Sequence, residues 1–280
     1  MQKTFEVQGT TEVEIRLNAG DIQVDATLDG SVTVELLAHD DEAQQLVDEA
    51  RVELQGNRVL VDVPQKRGGF SFGNLFGRQG ITCRVRCPEG SLLTARTRSA
   101  DLTVRGAIGG MNVATASGDV EADRVLGGLN VKSASGDIGV RVVGAGINVQ
   151  TASGDVALGA VRGSINVNTA SGDVTINEAD DNVNVNTVSG DQEHGAVMRG
   201  NVSAHSVSGD VRIGVRRGSK VYLDCTTVSG DTSSELEVSP EAPATDGPLV
   251  EIRAKTVSGD IRITRAPAPA ANEEHQEVHA

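Results

Sequence analysis

Apolar and polar residues alternate along most of the chain, and from residue 117 the alternation recurs in blocks of eighteen. Residues 117–134 read SGDVEADRVLGGLNVKSA, and residues 153–170 read SGDVALGAVRGSINVNTA. Aliphatic side chains hold the fourth and sixth places: Val120 and Ala122, Ile138 and Val140, Val156 and Leu158, Val174 and Ile176. A second pair follows nine places later, as Leu129 and Val131, Ile147 and Val149, Ile165 and Val167, Val183 and Val185. Alternation at period two describes a strand with one buried face. Each block therefore predicts two strands and two turns, with Ser-Gly-Asp at one turn and a Gly-rich pair such as Gly127-Gly128 at the other. So short a strand pair cannot bury its apolar face alone, so the blocks must stack.

Ser-Gly-Asp starts at Ser117, Ser135, Ser153, Ser171 and Ser189 at a constant interval, then at Ser208, Ser229 and Ser258 at wider ones. A degenerate copy, Ser99-Ala100-Asp101, lies one period upstream. A left-handed hexapeptide helix would need an inward aliphatic every six residues on three equal sides. Pairs of aliphatics repeating every nine do not supply that. The expected fold is an all-β, single-stranded β-solenoid with two strands and two turns per 18-residue coil and the right-handed crossover usual for parallel strands. Three portions are expected: an irregular β-rich part at 1–97, the repeat solenoid at 98–265, and a tail at 266–280 whose composition predicts disorder.

Stacking sets like residues about 4.8 Å apart on successive coils. One column is Asn112, Asn130, Asn148, Asn166 and Asn184, whose amides can bond along the axis. A second is Thr115, Ser133, Thr151, Thr169 and Thr187, whose hydroxyls can bond one another or the turn backbone. The third is Asp119, Asp137, Asp155, Asp173 and Asp191. Like charges so close repel unless compensated. Turn amides can compensate them, as in Asx turns, or the column can hold cations. Calcium-binding nonapeptide coils carry Gly-Gly-x-Gly-x-Asp at both turns. This chain has one Asp per coil, so a structural turn ladder is the expected role.

The Ser-Gly-Asp-aliphatic coils, with Asn18-Ala19-Gly20-Asp21-Ile22 and Pro88-Glu89-Gly90 ahead of them, resemble the bacterial putative-adhesin family of β-strand-repeat domains. The resemblance covers most of residues 1–265. It implies a β-solenoid, an adhesin-like role and a link to the cell envelope, and it implies no particular activity.

Composition narrows the functional classes. The chain has 280 residues, no Trp, one Tyr and four Phe. Sugar sites and single-stranded nucleic-acid sites usually rely on aromatic platforms. A net charge of −14 argues against nucleic acid and against general attraction to anionic membranes. The opening MQKTFEVQGTTEVEIRL reads as a strand and not as a secretory leader, and no stretch reaches the eighteen apolar residues of a membrane span. A cytoplasmic location is therefore expected, with envelope association through a partner. Of three cysteines, Cys83 and Cys87 lie four apart, about 13 Å along a strand and too far for a disulfide. Cys225 falls in the column of Val131, Val149 and Val167, as a small core residue. Reduced thiols are the simplest reading.

Before the repeats, Val13, Ile15 and Leu17, then Ile22 and Val24, then Val32, Val34 and Leu36 mark leading strands. Ala43, Leu46, Val47 and Ala50 recur at helical spacing, so a helix over about 40–51, capped by Asp40 or Asp41, should close the end of the solenoid. Strands resume at 58–63 and 80–87. Between them runs KRGGFSFGNLFGRQG, with Phe70, Phe72 and Phe76 among glycines and Lys66, Arg67 and Arg78 as cations. No acidic residue stands between Val63 and Pro88. This Phe/Arg loop either folds over the solenoid or forms an interaction site for a protein partner, an envelope component or a second copy. Two further places depart from the pattern. Gln192 and His194 stand where other coils place aliphatics, and a bulge turning them outward is expected. After Ser229, SPEAPATDGP at 239–248 should loop out before Leu249 resumes the strand.

No Gly-rich phosphate loop, zinc spacing or catalytic constellation stands out, so no cofactor and no metal are expected. A catalytic site generally breaks a repeat at one place, and the Asp column is uniform. The sequence thus favours a non-catalytic binding or scaffold protein, with a polysaccharide-active β-helix enzyme as the alternative.

Overall fold

In the computed structural model, which describes residues 1–27, 30–65, 80–236 and 247–266, the chain is a β-solenoid of stacked parallel strands with one short helix. The repeat sets the register. Strand Leu129–Lys132 pairs with Met111–Ala114 on one side and Ile147–Gln150 on the other, always with the residue eighteen away. The second sheet follows the same rule: Ile138–Val143 lies between Val120–Val125 and Val156–Val161. The paired aliphatics point inward without exception. Val131, Val149, Val167 and Val185 are completely buried, as are Val125 and Val143 on the facing sheet.

The leading residues are a true coil. Strand Glu12–Thr27 runs parallel to Leu92–Ile108, with Val13 on Leu93, Ile15 on Ala95 and Ile22 on Leu102. Gly20-Asp21 thereby stands on Ala100-Asp101, which makes it the first member of the turn column. On its other side this coil carries Arg58–Asp62 and Ile81–Pro88, both parallel to it. There the parallel stack stops. Arg51–Gln55 adds antiparallel to Arg58–Asp62, Ser31–Ala38 adds antiparallel to Ile81–Pro88, and Gln2–Glu6 adds antiparallel to Ser31–Ala38.

The helix Asp41–Glu49 joins these two antiparallel borders. Asp40 caps it by accepting the Ala43 amide at 2.6 Å, and Asp41 and Glu42 sit favourably in its first turn. Ala43, Leu46 and Val47 are buried in the common core, so the helix covers the end of the apolar interior, as its spacing predicted.

At the other end chain order and spatial order differ. Strand Gly200–His205 pairs with Leu249–Ser258, and Val211–Val215 pairs with Ile261–Arg265. The coil of Lys220–Ser229 and Thr232–Ser234 lies outside them, against Leu249–Ser258 and Ile261–Arg265. The last coil of the sequence is thus inserted beneath the one before it. The wider intervals after Ser208 and Ser229 reflect this crossing. The segment at 239–248, expected to loop out, lies outside the described residues except for Gly247 and Pro248.

Candidate functional site

The Ser-Gly-Asp corner is the most repeated chemistry on the surface. Each Asp backbone N–H donates to the carboxylate of the preceding coil: Asp137 to Asp119 at 2.9 Å, Asp155 to Asp137 at 2.9 Å, Asp173 to Asp155 at 2.8 Å and Asp191 to Asp173 at 2.8 Å. Asp119 likewise donates to Asp101, and the ladder continues through Asp210, Asp260 and Asp231, in the exchanged coil order. The glycine is required twice over at these corners. Gly154 has φ +121°, and a Cβ there would meet the Gly136 carbonyl oxygen at 2.3 Å. Only a residue without a side chain lets successive turns approach so closely.

The other two columns also bond inside the stack, except at Ser133, whose buried hydroxyl has no partner. The Asn130 amide donates to Asn112 at 3.0 Å, and Asn148, Asn166 and Asn184 continue the chain at 2.8, 2.8 and 2.9 Å. Thr115 accepts the Gly118 amide at 2.9 Å, and the Thr151 and Thr169 hydroxyls donate to the carbonyls of Ser153 and Ser171.

Gln192 and His194 do not turn outward. Both are 1% exposed and face the core, Gln192 between Val174 and Val211 and His194 between Ile176 and Ile213. The expected bulge exists, but the register shift comes after His194, before Val197. The two residues therefore keep the inward parity of the aliphatics they replace. Gln192 Nε2 donates to Thr187 Oγ1 at 3.0 Å and to the His205 carbonyl at 2.8 Å. Neither ring nitrogen of His194 has a partner, and burial pushes its pKa down to about 4. It is neutral at pH 7 and reaches no surface, so it is no general base.

Of the cysteines, Cys83 and Cys87 are buried on one face and free, with thiols pushed up by burial to about 12 and about 11. Cys225 keeps its core column, above Ala254, but is only half-buried because no coil among the described residues lies beyond its own. Glu14 belongs to no motif in the sequence, yet it is engaged. It is 4% exposed on an outward-facing position, held by Arg16 at 2.7 Å and by Arg58 of the neighbouring strand. Among the described residues no cluster of His, Cys, Asp and Glu could hold a metal, and no helix is long and apolar enough to cross a membrane.

Lys66, Arg67, Phe70, Phe72, Phe76 and Arg78 lie outside the described residues. Their flanks are placed at the helix-bearing end: the Val63 amide donates to the Arg16 carbonyl at 3.0 Å, and the Gly80 carbonyl accepts the His39 amide at 2.7 Å. A second apolar feature emerges at the opposite end. The residue before Ser-Gly-Asp is Ala in the early coils (Ala116, Ala134, Ala152, Ala170) and Val in the last four. Val188, Val207, Val257 and Val228 stand in that spatial order at 49–78% exposure.

The architecture is that of a repeat β-solenoid with ladder-stabilised corners. A family profile described as Toastrack DUF4097 matches residues 10–264, and the chain belongs to that family. No curated protein matches it significantly. Solved structures similar to it include a putative adhesin from Bacteroides fragilis (11% identity, 94% of this chain and 96% of that one, TM-score 0.43). Another is a putative adhesin from Parabacteroides distasonis (12% identity, 94% and 96% covered, TM-score 0.47). A putative lipid binding protein from the same species shares 16% identity over 95% and 96% of the two chains, with a TM-score of 0.44.

Proposed function

We propose that this chain is a non-catalytic, adhesin-like binding or scaffold protein whose coil stack is a rigid spacer between two differently built ends. The observation that carries this reading is the Asp column: carboxylates Asp119, Asp137, Asp155 and Asp173 each accept a turn amide from the next coil. The most repeated acid chemistry of the surface is thereby engaged in holding coils together. The proposed contact is the segment carrying Lys66, Arg67, Phe70, Phe72, Phe76 and Arg78, whose flanks Val63 and Gly80 bond at the helix-bearing end. Its Phe side chains supply apolar area, its glycines let the backbone adapt, and its cations select an acidic or anionic partner surface, protein or envelope component. A chain of net charge −14 disfavours broad adsorption to such surfaces, so contact is local.

The test is a triple variant, Phe70→Ser with Phe72→Ser and Phe76→Ser, examined for thermal melting and for retention of immobilised anionic envelope extract. Unchanged melting with lost retention supports the contact role. A loss of several degrees with retention unchanged makes the segment a structural cover and sinks the proposal.

A further inference from the structure

Strand Lys220–Ser229 ends the stack. It is in register with Leu249–Ser258 on its inner side, and no strand among the described residues pairs with its other edge. The Lys220 amide donates to the Pro248 carbonyl at 2.9 Å. In a parallel ladder the N–H and C=O of one residue point the same way and successive residues alternate. The even-numbered residues therefore serve the inner neighbour, and Val221, Leu223 and Cys225 direct their backbone groups across the free edge. The side chains of these three face the core and stay half-buried, whereas Val250, Ile252 and Ala254 one coil deeper are fully buried. Tyr222, the one Tyr of the chain, stands 59% exposed on the outer face between Lys220 and Asp224.

A free edge with this alternation is a template for another strand. We propose that it pairs antiparallel with the same strand of a second copy of this chain, about a two-fold axis through Tyr222. Self-complementarity selects both occupant and register. A two-fold at Tyr222 sets Lys220 opposite Asp224 of the second copy, and Asp224 opposite its Lys220, so two ion pairs flank the tyrosines. On the inner face Val221 meets Leu223 twice, and the two apolar interiors join. The backbone parity agrees. Val221 and Leu223, whose groups face the free edge, become the pair that exchanges both hydrogen bonds, and the two Tyr222 residues form the closer, non-hydrogen-bonded pair. Moving the axis to Leu223 would set Asp224 against Tyr222 and Lys220 against Thr226. Moving it to Val221 would set Asp224 against Gly218. Neither pairs the charges.

Light scattering across a concentration series should show a reversible rise from 29.0 kDa to twice that mass. Lys220→Asp and Asp224→Lys should each weaken the dimer about tenfold or more, since each sets two like-charge pairs across the axis, and the double swap should restore it. Leu223→Pro removes an N–H that serves only the free edge, so it should abolish the dimer while lowering the melting temperature of the monomer only by the lost packing of one half-buried side chain. The triple Phe→Ser variant should leave the dimer intact, which separates this inference from the contact role of the 66–80 segment. A monomer at every concentration overturns the proposal. So does a dimer untouched by the charge reversals or not rescued by the double swap. A monomer that dimerises only after removal of residues 267–280 would give the edge to this chain's own C-terminal segment and equally overturn it.

Discussion

The two ends of the solenoid solve the same problem in opposite ways. At the helix-bearing end the parallel ladder is closed by antiparallel strands on both sheets, and Ala43, Leu46 and Val47 cover the interior between them. The strands that remain at the border are five residues each and charged, QKTFE and RVELQ, and Lys3 Nζ donates to the Val52 carbonyl at 2.9 Å, bridging them. Short, charged edges are the usual protection against unwanted pairing. At the other end the ladder of described residues stops at a ten-residue strand, and Val221, Leu223 and Cys225 stay half-buried. Burial to within 2% at Val32, Val34 and Val52 against partial exposure at equivalent inward positions measures the difference. A terminal repeat needs a polar outer face to be self-sufficient. One end has been built as a terminus and the other has been left as a joint.

The largest effect that tests this contrast comes from burying a charge. Val149→Asp, in the middle of the stack, and Val34→Asp, under the antiparallel border, each place a carboxylate in a site sealed from water and should cost about 4 kcal/mol or more. Leu223→Asp at the bare end lets the carboxylate reach solvent and should cost about 1–2 kcal/mol in the dilute monomer. Urea midpoints of the three variants decide it. Were Leu223→Asp as damaging as Val34→Asp, the bare end would be covered after all.

What could be read from the sequence follows the same division. The coils were legible because period-two aliphatics, Asn112 to Asn184 and the Ser-Gly-Asp column all repeat at one interval, and one register satisfies them together. The helix was legible from Asp40 and the spacing of Ala43, Leu46 and Val47. The exchange of the last two coils was not. Every Ser-Gly-Asp corner is chemically the same, so Ser208 stacks on Ser258 as readily as on Ser229, and only the stretched intervals hinted at a crossing. Gln192 and His194 break the aliphatic pattern, and that break predicts a bulge turning them outward. Their places, fourth and sixth of the coil that Ser189 begins, carried the correct parity, and parity prevailed over polarity. The half-exposure of Cys225 depends on which coil is outermost, and the burial of Glu14 on Arg58 crossing from a distant strand. Neither leaves a local signal.

His194 gives the second, smaller effect, and it reads how deep the bare end opens. The coil holding it is covered on that side by the Val211, Ile261 and Thr232 strands. Its pKa in the fold is about 4, below the ordinary histidine value of about 6.5. Between those values the unfolded chain takes up a proton that the folded chain refuses. Stability is therefore unaffected above pH 6.5, falls as pH drops from 6.5 to 4, and levels off below, by about 3 kcal/mol in all. His194→Ile, matching Ile176 and Ile213 beside it, should remove that part of the acid sensitivity and stabilise the protein at pH 7 as well. Denaturation at pH 7 and pH 4.5 measures the difference between the two proteins. An identical loss in both would mean that the outer coils fray far enough to hydrate His194.

The smallest effect lies in the Asp column and contrasts its interior with its last member. The Asp137 carboxylate accepts the Asp155 amide at 2.9 Å, so Asp137→Ala leaves that amide without its acceptor and should cost about 1 kcal/mol. Asp137→Asn keeps an oxygen in the same place and removes one charge from a row of like charges, so it should cost less or even stabilise. Asp231 is the final step: its amide donates to Asp260 at 2.8 Å, and no coil among the described residues stands beyond to use its carboxylate. Asp231→Ala should therefore leave the melting temperature of the monomer unchanged. Calcium at millimolar concentration should stabilise none of these proteins, because the carboxylates already serve the turns. A saturable stabilisation by calcium, lost in the pair Asp137→Asn and Asp155→Asn, would show that the column holds cations and that the amide bonds are secondary to it.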